Sequence, residues 1–437
     1  MKRPLAKPSA VKLIAMNPTP PLTLTDLASD GLFLATAHDM CWKQLKEVQG
    51  IELNFSSAPA ESGNDLPVDV RVYTAQGTVD FKGRRIAVLS DTTWRWATAR
   101  KRDPAISQLH GEQPLSELLL AAARTLEGGN PILIGDQANG HKAAIAIDLA
   151  QAQSSTGSWS APSPDAISVG KVLIEGIGDP FIEELDEIRA VVSFAQHRGL
   201  HVEEGDQGLR LTSANPADTT EITDITLEFL DEHISALTAG ITPGANWRLE
   251  DISADGFYAA IEHAMFFSAH YPQAARENVL VNLETGHVLL DEKSGLEAAA
   301  VILATVYDGV FTWAWADSEL TRLPSQGPVN VVRQFGIDKL VPSLVRRRMP
   351  AAMARELGLA QVAMPILNKW NVVTAKLNEN TTAIVLIDSP KLRLPALAPH
   401  VEKAVLDNQP PAHINRDRAI QAYHAMRGNK PAGVPST

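Results

Sequence analysis

The sequence predicts an α+β fold in which two homologous units, each a small antiparallel sheet covered by helices, follow one another along the chain. Three observations predict this class. A Trp-x-Trp-Ala stretch occurs twice, at residues 94–97 and 313–316. Each copy follows an acidic helical segment and a run of β-forming residues. Other segments on both sides of the stretch also recur. Because a strand has a period of two, both tryptophans of each stretch are expected on one face, at the centre of a core.

The recurring segments keep the same order in both halves, which favours a tandem duplication. We therefore expect a first repeat unit at 1–213, a linker and connecting helix at 214–240, and a second repeat unit at 241–437. The connecting helix is predicted at 225–237. Because a duplicated chain often keeps the interface of an ancestral dimer, we expect a monomer with pseudo-twofold internal symmetry. The five matches are residues 24–31 with 249–256, 94–97 with 313–316, 131–133 with 365–367, 147–148 with 387–388, and 189–199 with 418–428.

The first helix is expected from Leu24 to about Gln49. Its apolar residues recur at steps of four and three, which places them on one helical stripe. Gly31 lies on that stripe, and because glycine costs about 1 kcal/mol in a helix interior, we expect it to allow the close approach of another backbone. The second half keeps Gly256 and His263 at the equivalent places. The stripe consists of Leu27, Gly31, Leu34, His38, Cys41 and Leu45.

A three-stranded antiparallel meander is expected next, with the Trp-x-Trp stretch on its last strand. Lys82-Gly83 is expected to separate the first two strands. Asp308-Gly309 marks a hairpin in the second half, because an Asp-Gly pair between β-rich runs is a strong hairpin signal. The predicted strands are 70–81 and 84–89 in the first half, and 300–307 and 310–316 in the second half.

The remaining elements alternate between helices and hairpins. One helix is expected to begin at Pro114 and end before Gly128, since proline favours the first turn and glycine the position after the last one. Another is expected to begin at Asp179 and end before Gly199. The predicted counterparts in the second half are helices at 338–348, 350–357 and 415–427. The predicted hairpins are 131–135 with 142–148, 201–213, and 371–377 with 382–388, and residues 151–170 are expected to form a loop.

Composition argues against several classes of function. The 437-residue chain has a formal net charge of −12, which argues against nucleic-acid binding by broad phosphate neutralisation and against adhesion to an anionic membrane. Cys41 is the only cysteine, so an intrachain disulfide and a cysteine-rich zinc site are excluded, and a reducing cytoplasm is the simplest location. No apolar run reaches the length of about 20 residues that a membrane span needs.

His38 and His263 recur on the inner stripe of the helix and are candidate site residues. A neutral imidazole near aromatic surface can act as a general base or a metal ligand. The simpler interpretation is a core histidine that is hydrogen-bonded to a backbone carbonyl or an indole. No set of His, Glu and Asp at metal-ligand spacing surrounds either residue, so neither a metal nor a cofactor is predicted.

Trp94, Trp96, Trp313 and Trp315 are the other candidate residues. Core packing is the simplest interpretation, and one pair could contribute on the order of 10 kcal/mol of gross burial. The alternatives are the floor of an aromatic ligand pocket or, if the pairs face outward, the anchors of a partner interface.

Four aspartates also recur, since Asp26 and Asp30 match Asp251 and Asp255. They most simply complement the dipole at a helix N-terminus. Paired carboxylates can also perform acid/base catalysis, which is the alternative interpretation.

Two basic runs, residues 100–102 and 346–348, follow the Trp-x-Trp stretches. Such runs can bind a phosphate or an acidic partner segment, although a solvated surface is the simpler interpretation. The sequence lacks the signatures of phosphate-binding loops, zinc proteases and serine hydrolases.

The Trp-x-Trp-Ala strand, with the acidic helix and short meander before it, resembles an uncharacterised bacterial family, a domain of unknown function that such a strand marks. Residues 311–316 and the helices after them are the better match, whereas the first half departs by carrying Arg95 between its tryptophans. The resemblance implies an intracellular bacterial protein, and it implies no particular activity, substrate or cofactor.

Two hypotheses of function follow. The preferred one is a non-catalytic cytoplasmic binding or scaffold protein that acts through its sheet faces or the groove between the copies. Its partner would be an unknown protein or small molecule, and neither nucleic acid nor membrane is expected. The alternative is an enzyme of unknown reaction in which His38 or His263 acts as a general base in a Trp-lined pocket.

Overall fold

The chain folds into helices and antiparallel sheets, which confirms the predicted α+β class. A computed structural model describes residues 19–55, 66–97, 105–137, 141–154, 167–205, 208–213, 223–240, 247–276, 279–291, 296–323 and 327–428. The chain divides into two compact units, Met1–Thr242 and Pro243–Thr437. The basic run at 100–102 and the linker residues 214–222 lie outside the described residues.

The first unit contains a seven-stranded antiparallel sheet. Its strands are β1 (Val48–Phe55), β2 (Leu66–Thr74), β3 (Gly77–Leu89), β4 (Thr93–Trp96), β5 (Glu112–Pro114), β6 (Ile132–Asp136) and β7 (Lys142–Ser154). Along one edge β3 pairs first with β2 and then with β4, and along the other edge it pairs with β7. Strands β1, β5 and β6 extend the sheet outward, so β3 is its central strand.

A four-stranded sheet and a layer of helices complete the described part of the first unit. Helix α1 packs against α2, α3 and α4. The helices are α1 (Leu24–Trp42), α2 (Glu117–Leu126), α3 (Val169–Ile177) and α4 (Glu187–His197). The strands, in the order β11-β10-β9-β8, are β8 (Leu200–Glu204), β9 (Gly208–Ser213), β10 (Asp224–Leu230) and β11 (His233–Ala239).

The predicted connecting helix at 225–237 is wrong, because this segment forms the hairpin β10–β11 of the four-stranded sheet. Ile225 and Leu227 are buried and Thr226 between them is exposed, which is the alternation of a strand. The turn residues Asp231 and Glu232 have φ angles of 51° and 68°, as a two-residue hairpin turn requires. The apolar residues of this segment fit either the helical period or the strand period. Pairing of β10 with β9 stabilises the strand.

The second unit contains another seven-stranded antiparallel sheet, covered by helices. Its strands are β12 (Leu280–Asn282), β13 (His287–Asp291), β14 (Leu296–Tyr307), β15 (Val310–Trp313), β16 (Arg348–Pro350), β17 (Asn371–Lys376) and β18 (Thr381–Asp388). Its helices are α5 (Leu249–His270), α6 (Val329–Lys339), α7 (Ala351–Glu356), α8 (Leu359–Leu367), α9 (Pro399–Leu406) and α10 (Arg416–Met426).

Both seven-stranded sheets have the same strand order. In the second, β14 pairs with β13 and then β15 along one edge and with β18 along the other, as β3 does in the first. Each central strand also has a register shift in its ladder with the long neighbour β7 or β18. The shift in β14 lies between Ile302 and Ala304, and a shift between Arg85 and Ala87 in β3 has the matching place. Strand β3 has a second shift, between Asp80 and Lys82.

Three strand predictions need correction. The first turn of the meander lies between Thr74 and Gly77, and Lys82-Gly83 is inside β3. A Cβ at Gly83 would lie 3.0 Å from the carbonyl oxygen of Ala146, so this glycine permits close strand packing and does not make a turn. The Trp-x-Trp strand is not the last one, because β5 and β16 pair beyond it. Strand β15 ends at Trp313, and residues 314–316 form a 3₁₀ turn.

Three helix predictions also need correction. No helix spans 338–348, because Leu340 adopts a left-handed φ of 56° and ends α6 at Lys339. A helix does not begin at Asp179, whose side chain instead accepts the N–H of Phe181 at 2.8 Å in a turn. Helix α4 begins later, after the cap Asp186. Helix α3 was missed at the end of the predicted loop 151–170.

One of the five sequence matches joins segments of different secondary structure. Residues 131–133 lead into strand β6, whereas residues 365–367 lie in helix α8. The other predicted hairpins and the last helix are confirmed, including the turn at Asp308-Gly309, where Tyr307 pairs with Val310. The first helix was predicted too long, because α1 ends at Trp42 and residues 48–49 belong to β1. The helix predicted from Pro114 begins at Glu117, and Pro114 lies in β5.

Candidate functional site

The recurring aspartates at the start of α1 and α5 cap these helices. Asp26 accepts the N–H groups of Leu22 and Thr23, at 2.9 and 3.0 Å. Burial raises the pKa of Asp26, but these hydrogen bonds outweigh it and lower the pKa overall. In the second unit Asp251 accepts the N–H of Arg248 at 2.9 Å. These carboxylates satisfy N–H groups that a helix start leaves without partners.

An arginine on the last described helix of each unit binds the second recurring aspartate. Arg189 on α4 donates to Asp30 at 2.7 Å, and Arg418 on α10 donates to both carboxylate oxygens of Asp255 at 2.7 Å. Burial raises the pKa of Asp30, and this effect exceeds the lowering of that pKa by Arg189. The hydrogen bond to Asp255 raises the pKa of Arg418. Each ion pair fixes one helix to another, which is a structural task.

The same helix pairs also meet through aromatic rings. Phe33 and Phe194 have centroids 6.0 Å apart and an interplanar angle of 54°. Tyr258 and Tyr423 have centroids 6.1 Å apart and an angle of 55°. All four rings are buried. The two joints thus have closely similar geometry.

The two candidate histidines have different neighbours. His38 Nδ1 lies 3.1 Å from the side-chain oxygen of Asn130. His263 stacks on Trp370, with centroids 5.8 Å apart and an interplanar angle of 15°. Its Nδ1 is buried and has no hydrogen-bond partner. Burial, followed by the charge of Arg427, lowers the pKa of His263 to about 4. The ring is therefore neutral at pH 7 and is a weak base.

This lowered pKa predicts a loss of stability in acid. The unfolded chain takes up a proton near the ordinary pKa of about 6.5, and the folded chain does so only near pH 4. Stability should therefore fall as pH drops from 6.5 to 4, by about 1–2 kcal/mol after allowance for partial exposure of the ring. We expect His263→Phe to abolish this loss in pH-dependent urea unfolding. Parallel pH profiles for wild type and variant would contradict it.

A buried polar group lies beside His263 on the same helix. Glu262 is 4% exposed, accepts the hydroxyl of Tyr423 at 2.9 Å, and lies 3.1 Å from Arg427 Nε. Burial, with the bond to Glu262, raises the pKa of Tyr423. Sequence reasoning missed this group, although a charged residue on the inner side of a helix was a signal that could have found it.

The tryptophans are buried, which agrees with core packing. Trp94, Trp96, Trp313 and Trp315 are 0%, 4%, 0% and 8% exposed. The indole N–H of Trp96 donates to the carbonyl of Gln108 at 2.9 Å, and that of Trp313 to the carbonyl of Ser343 at 3.1 Å. Both acceptors lie in short 3₁₀ turns.

Strand register corrects the residue correspondence of the two motifs. Trp96 pairs with Ala87 just after the register shift in β3, and Trp313 pairs with Ala304 just after the shift in β14. The neighbour two residues earlier completes a T-shaped ring pair in both units, with centroids 5.0 Å apart. This neighbour is Trp94 in the first unit and Phe311 in the second. Trp96 therefore corresponds to Trp313, and the predicted alignment was shifted by two residues.

Trp315 has a different environment from the other three indoles. It lies in the 3₁₀ turn after β15, with Arg333 Cζ 5.3 Å and Arg347 Cζ 6.0 Å from its ring centroid. Arg347 also donates to the carbonyl of Ala316 at 2.8 Å. The structure thus joins Trp315 to one residue of the predicted basic run, and adds Arg333, which the sequence did not indicate.

An exposed face of the first sheet carries ordered polar side chains. Arg71 donates twice to Asp80, at 2.7 and 3.2 Å, and the hydroxyl of Tyr73 donates to Glu52 at 2.6 Å. The bond from Tyr73 lowers the pKa of Glu52. Tyr73 is 37% exposed. The sequence analysis missed this surface, although residues of β2 alternate between buried and exposed, which was its signal.

Within the described ranges, no group of three or more His, Cys, Asp or Glu residues is placed to hold a metal ion. In the same part of the chain, no helix combines the length and apolar character needed to cross a membrane.

These features define the second unit as an α+β domain whose sheet is covered by helices. Residues 250–390, from the first turn of α5 to just after β18, match DUF6882, a family of unknown function. The match supports the resemblance of this half to an uncharacterised domain. No curated protein and no solved structure matches the chain.

Proposed function

We propose that this chain is a non-catalytic binding or scaffold protein of the bacterial cytoplasm, built from a duplicated domain. The observation that carries the proposal is the use made of the recurring polar residues. The aspartates cap helices or bind arginines, and the indoles of Trp96 and Trp313 bind backbone carbonyls. These recurring residues stabilise the fold of each unit. Their recurrence therefore favours a common fold and gives no support to a common catalytic reaction.

The duplication is supported by agreement at several levels. The two sheets have the same strand order, and the register shifts fall at matching places in β3 and β14. The Asp–Arg pairs and the ring pairs between helices also correspond in chain order and geometry. Chance would have to produce each of these agreements separately.

The exposed face of β1–β3 is the surface that we propose for partner binding. Tyrosine and arginine are frequent anchors of protein interfaces. Here Tyr73 and Arg71 are held in position by Glu52 and Asp80 before any partner arrives. Side chains that are already ordered lose less conformational entropy when a partner binds, which favours affinity.

The alternative function is an enzyme with His263 as general base. Its support is the neutral ring with a partner-free Nδ1 on the face of Trp370. A general base works best when its pKa lies near the operating pH, and the pKa of His263 is about 4. This mismatch makes the binding role the better proposal.

The test is affinity capture of the tagged full-length chain from its native cells, followed by mass spectrometry. We expect partners that are lost when Arg71 and Tyr73 are both replaced by serine, because the proposed anchors are removed. The matched control is Arg210→Ser, which breaks another exposed cross-strand pair of the first unit, with Asp224 at 2.9 and 3.1 Å. Equal capture by the double variant, or equal loss in the control, would reject this surface.

A further inference from the structure

We propose that the second unit binds a phosphate-bearing small molecule beside Trp315, through Arg333, Arg347 and the indole N–H. The inference rests on the proposed binding role and names a ligand class for one unit. It begins from the basic run that the sequence analysis set aside, one member of which the structure places against this indole.

The indole N–H of Trp315 is an unsatisfied buried donor. Trp315 is 8% exposed and its Nε1 is buried without a hydrogen-bond partner. Trp313 donates its indole N–H to a carbonyl at 3.1 Å, whereas that of Trp94 is buried without a partner like that of Trp315. What distinguishes Trp315 is that two arginines lie over its ring. A buried donor without an acceptor costs about 1–3 kcal/mol. An acceptor supplied from outside the chain would remove that cost.

Trp315 belongs to the hydrophobic core, and the guanidiniums of Arg333 and Arg347 lie over its ring. Guanidinium groups have only hydrogen-bond donors. The bond from Arg347 to the carbonyl of Ala316, at 2.8 Å, holds its guanidinium at the turn that carries the indole. Both arginines have other partners as well, so a ligand would add to their contacts. Donors of this kind select an oxyanion.

The geometry of these donors favours phosphate among the oxyanions. Guanidinium groups match the geometry of phosphate oxygens, and a tetrahedral phosphate can accept from two arginines and an indole at once. A carboxylate also has enough lone pairs for three donors, but its acceptor sites lie in one plane and it has a single charge, so it matches donors from different directions less well than a tetrahedral phosphate does. Because Trp315 is nearly enclosed, its ring face is not open for stacking by a base or sugar. The recognised part is therefore the phosphate group itself.

The arginine run provides a control within its own three residues. Arg346 is 7% exposed, Arg347 contacts Trp315, and Arg348 is exposed on β16. Long-range attraction of an anion would respond similarly to loss of either Arg347 or Arg348. Specific binding would respond to Arg347 only.

The experiment is calorimetric titration of the full-length chain with inorganic phosphate and with pyrophosphate at constant ionic strength. We expect saturable binding that Arg333→Met or Arg347→Met weakens by about tenfold or more, since each removes charge-assisted hydrogen bonds. Arg348→Met should change the affinity less than about twofold. Trp315→Phe should weaken binding by about fivefold, because it removes the N–H donor and keeps a ring.

Several outcomes would overturn the site. These are absence of saturable binding, equal effects of Arg347→Met and Arg348→Met, or acetate binding as tightly as phosphate. Arg347→Lys guards against a folding defect, because it keeps the charge and should bind more weakly than wild type but more tightly than Arg347→Met. Failure here with partners still captured through Arg71 and Tyr73 would reject only the phosphate site. If neither phosphate binding nor partner capture through Arg71 and Tyr73 were observed, the proposed binding role itself would be rejected.

Discussion

Replacing Trp313 by alanine is expected to destabilise the second unit by about 3–5 kcal/mol, the cost of a large cavity in a well-packed core. The indole is fully buried, forms a T-shaped pair with Phe311 at 5.0 Å, and donates to the carbonyl of Ser343 at 3.1 Å. Loss of the ring removes the transfer free energy and the packing contacts, and leaves that carbonyl without its indole donor. Trp96→Ala should cost the first unit a similar amount, because its contacts are of the same kinds.

Hydrogen-exchange mass spectrometry is the appropriate measurement, because it reads the opening free energy of each unit separately in one chain. A single melting temperature would average two units that need not unfold together. We expect Trp313→Ala to speed exchange in β14 and β18, and Trp96→Ala to do so in β3 and β7.

Trp94→Phe is the matched control, since the second unit already has Phe311 at the corresponding position of the ring pair. It should cost only about 1 kcal/mol. If Trp94→Phe were as damaging as Trp96→Ala, the corrected correspondence of the two motifs would be wrong.

The helix pair was the part of the fold that the sequence predicted best. Asp30 and Arg189 recur at matching places, and the structure brings each pair together. The close approach at Gly31 was predicted from the cost of glycine in a helix, and the neighbour is Thr125 on α2. The glycine contact was predictable because the spacing of a helical stripe is a local pattern. The Asp–Arg pairing was not predicted, and neither was the burial of Leu32 and Phe33, which lie off the predicted stripe.

Strand register was not predictable, because it depends on pairing between distant segments. A two-residue shift keeps every side chain on the same face of a strand, so the alternation of Trp94 and Trp96 fits both alignments. The register shifts after Arg85 and Ile302 leave no mark in local composition. The candidate site was also only partly predictable. The sequence indicated Trp315 and Arg347, whereas Arg333 lies on a helix that was not predicted.

The two units allow a further comparison, because α1 has a glycine in tight contact with a neighbouring helix and α5 has a glycine in a looser helix contact. A Cβ at Gly31 would lie 2.7 Å from the Cβ of Thr125 and 3.0 Å from its Cα. A Cβ at Gly256 would meet two ring carbons of Pro365 at 3.1 Å and the carbonyl oxygen of Gln361 at an ordinary contact distance of 3.7 Å. Backbone and β-branched atoms cannot move aside within a helix, whereas a contact a few tenths of an ångström too close can be relieved by a small shift.

Gly31→Ala is therefore expected to destabilise the first unit by about 2–3 kcal/mol, even after the gain of about 1 kcal/mol in helix propensity. Gly256→Ala, which has the same gain and a milder contact, should change the second unit by less than about 1 kcal/mol. Adding Thr125→Gly to Gly31→Ala removes the side chain that meets the new methyl, so the double variant should recover at least about 1 kcal/mol relative to additivity. Hydrogen exchange in α1 and α5 measures both units together. Equal costs at the two glycines, or strict additivity of the pair, would mean that close helix approach is not what glycine provides at residue 31.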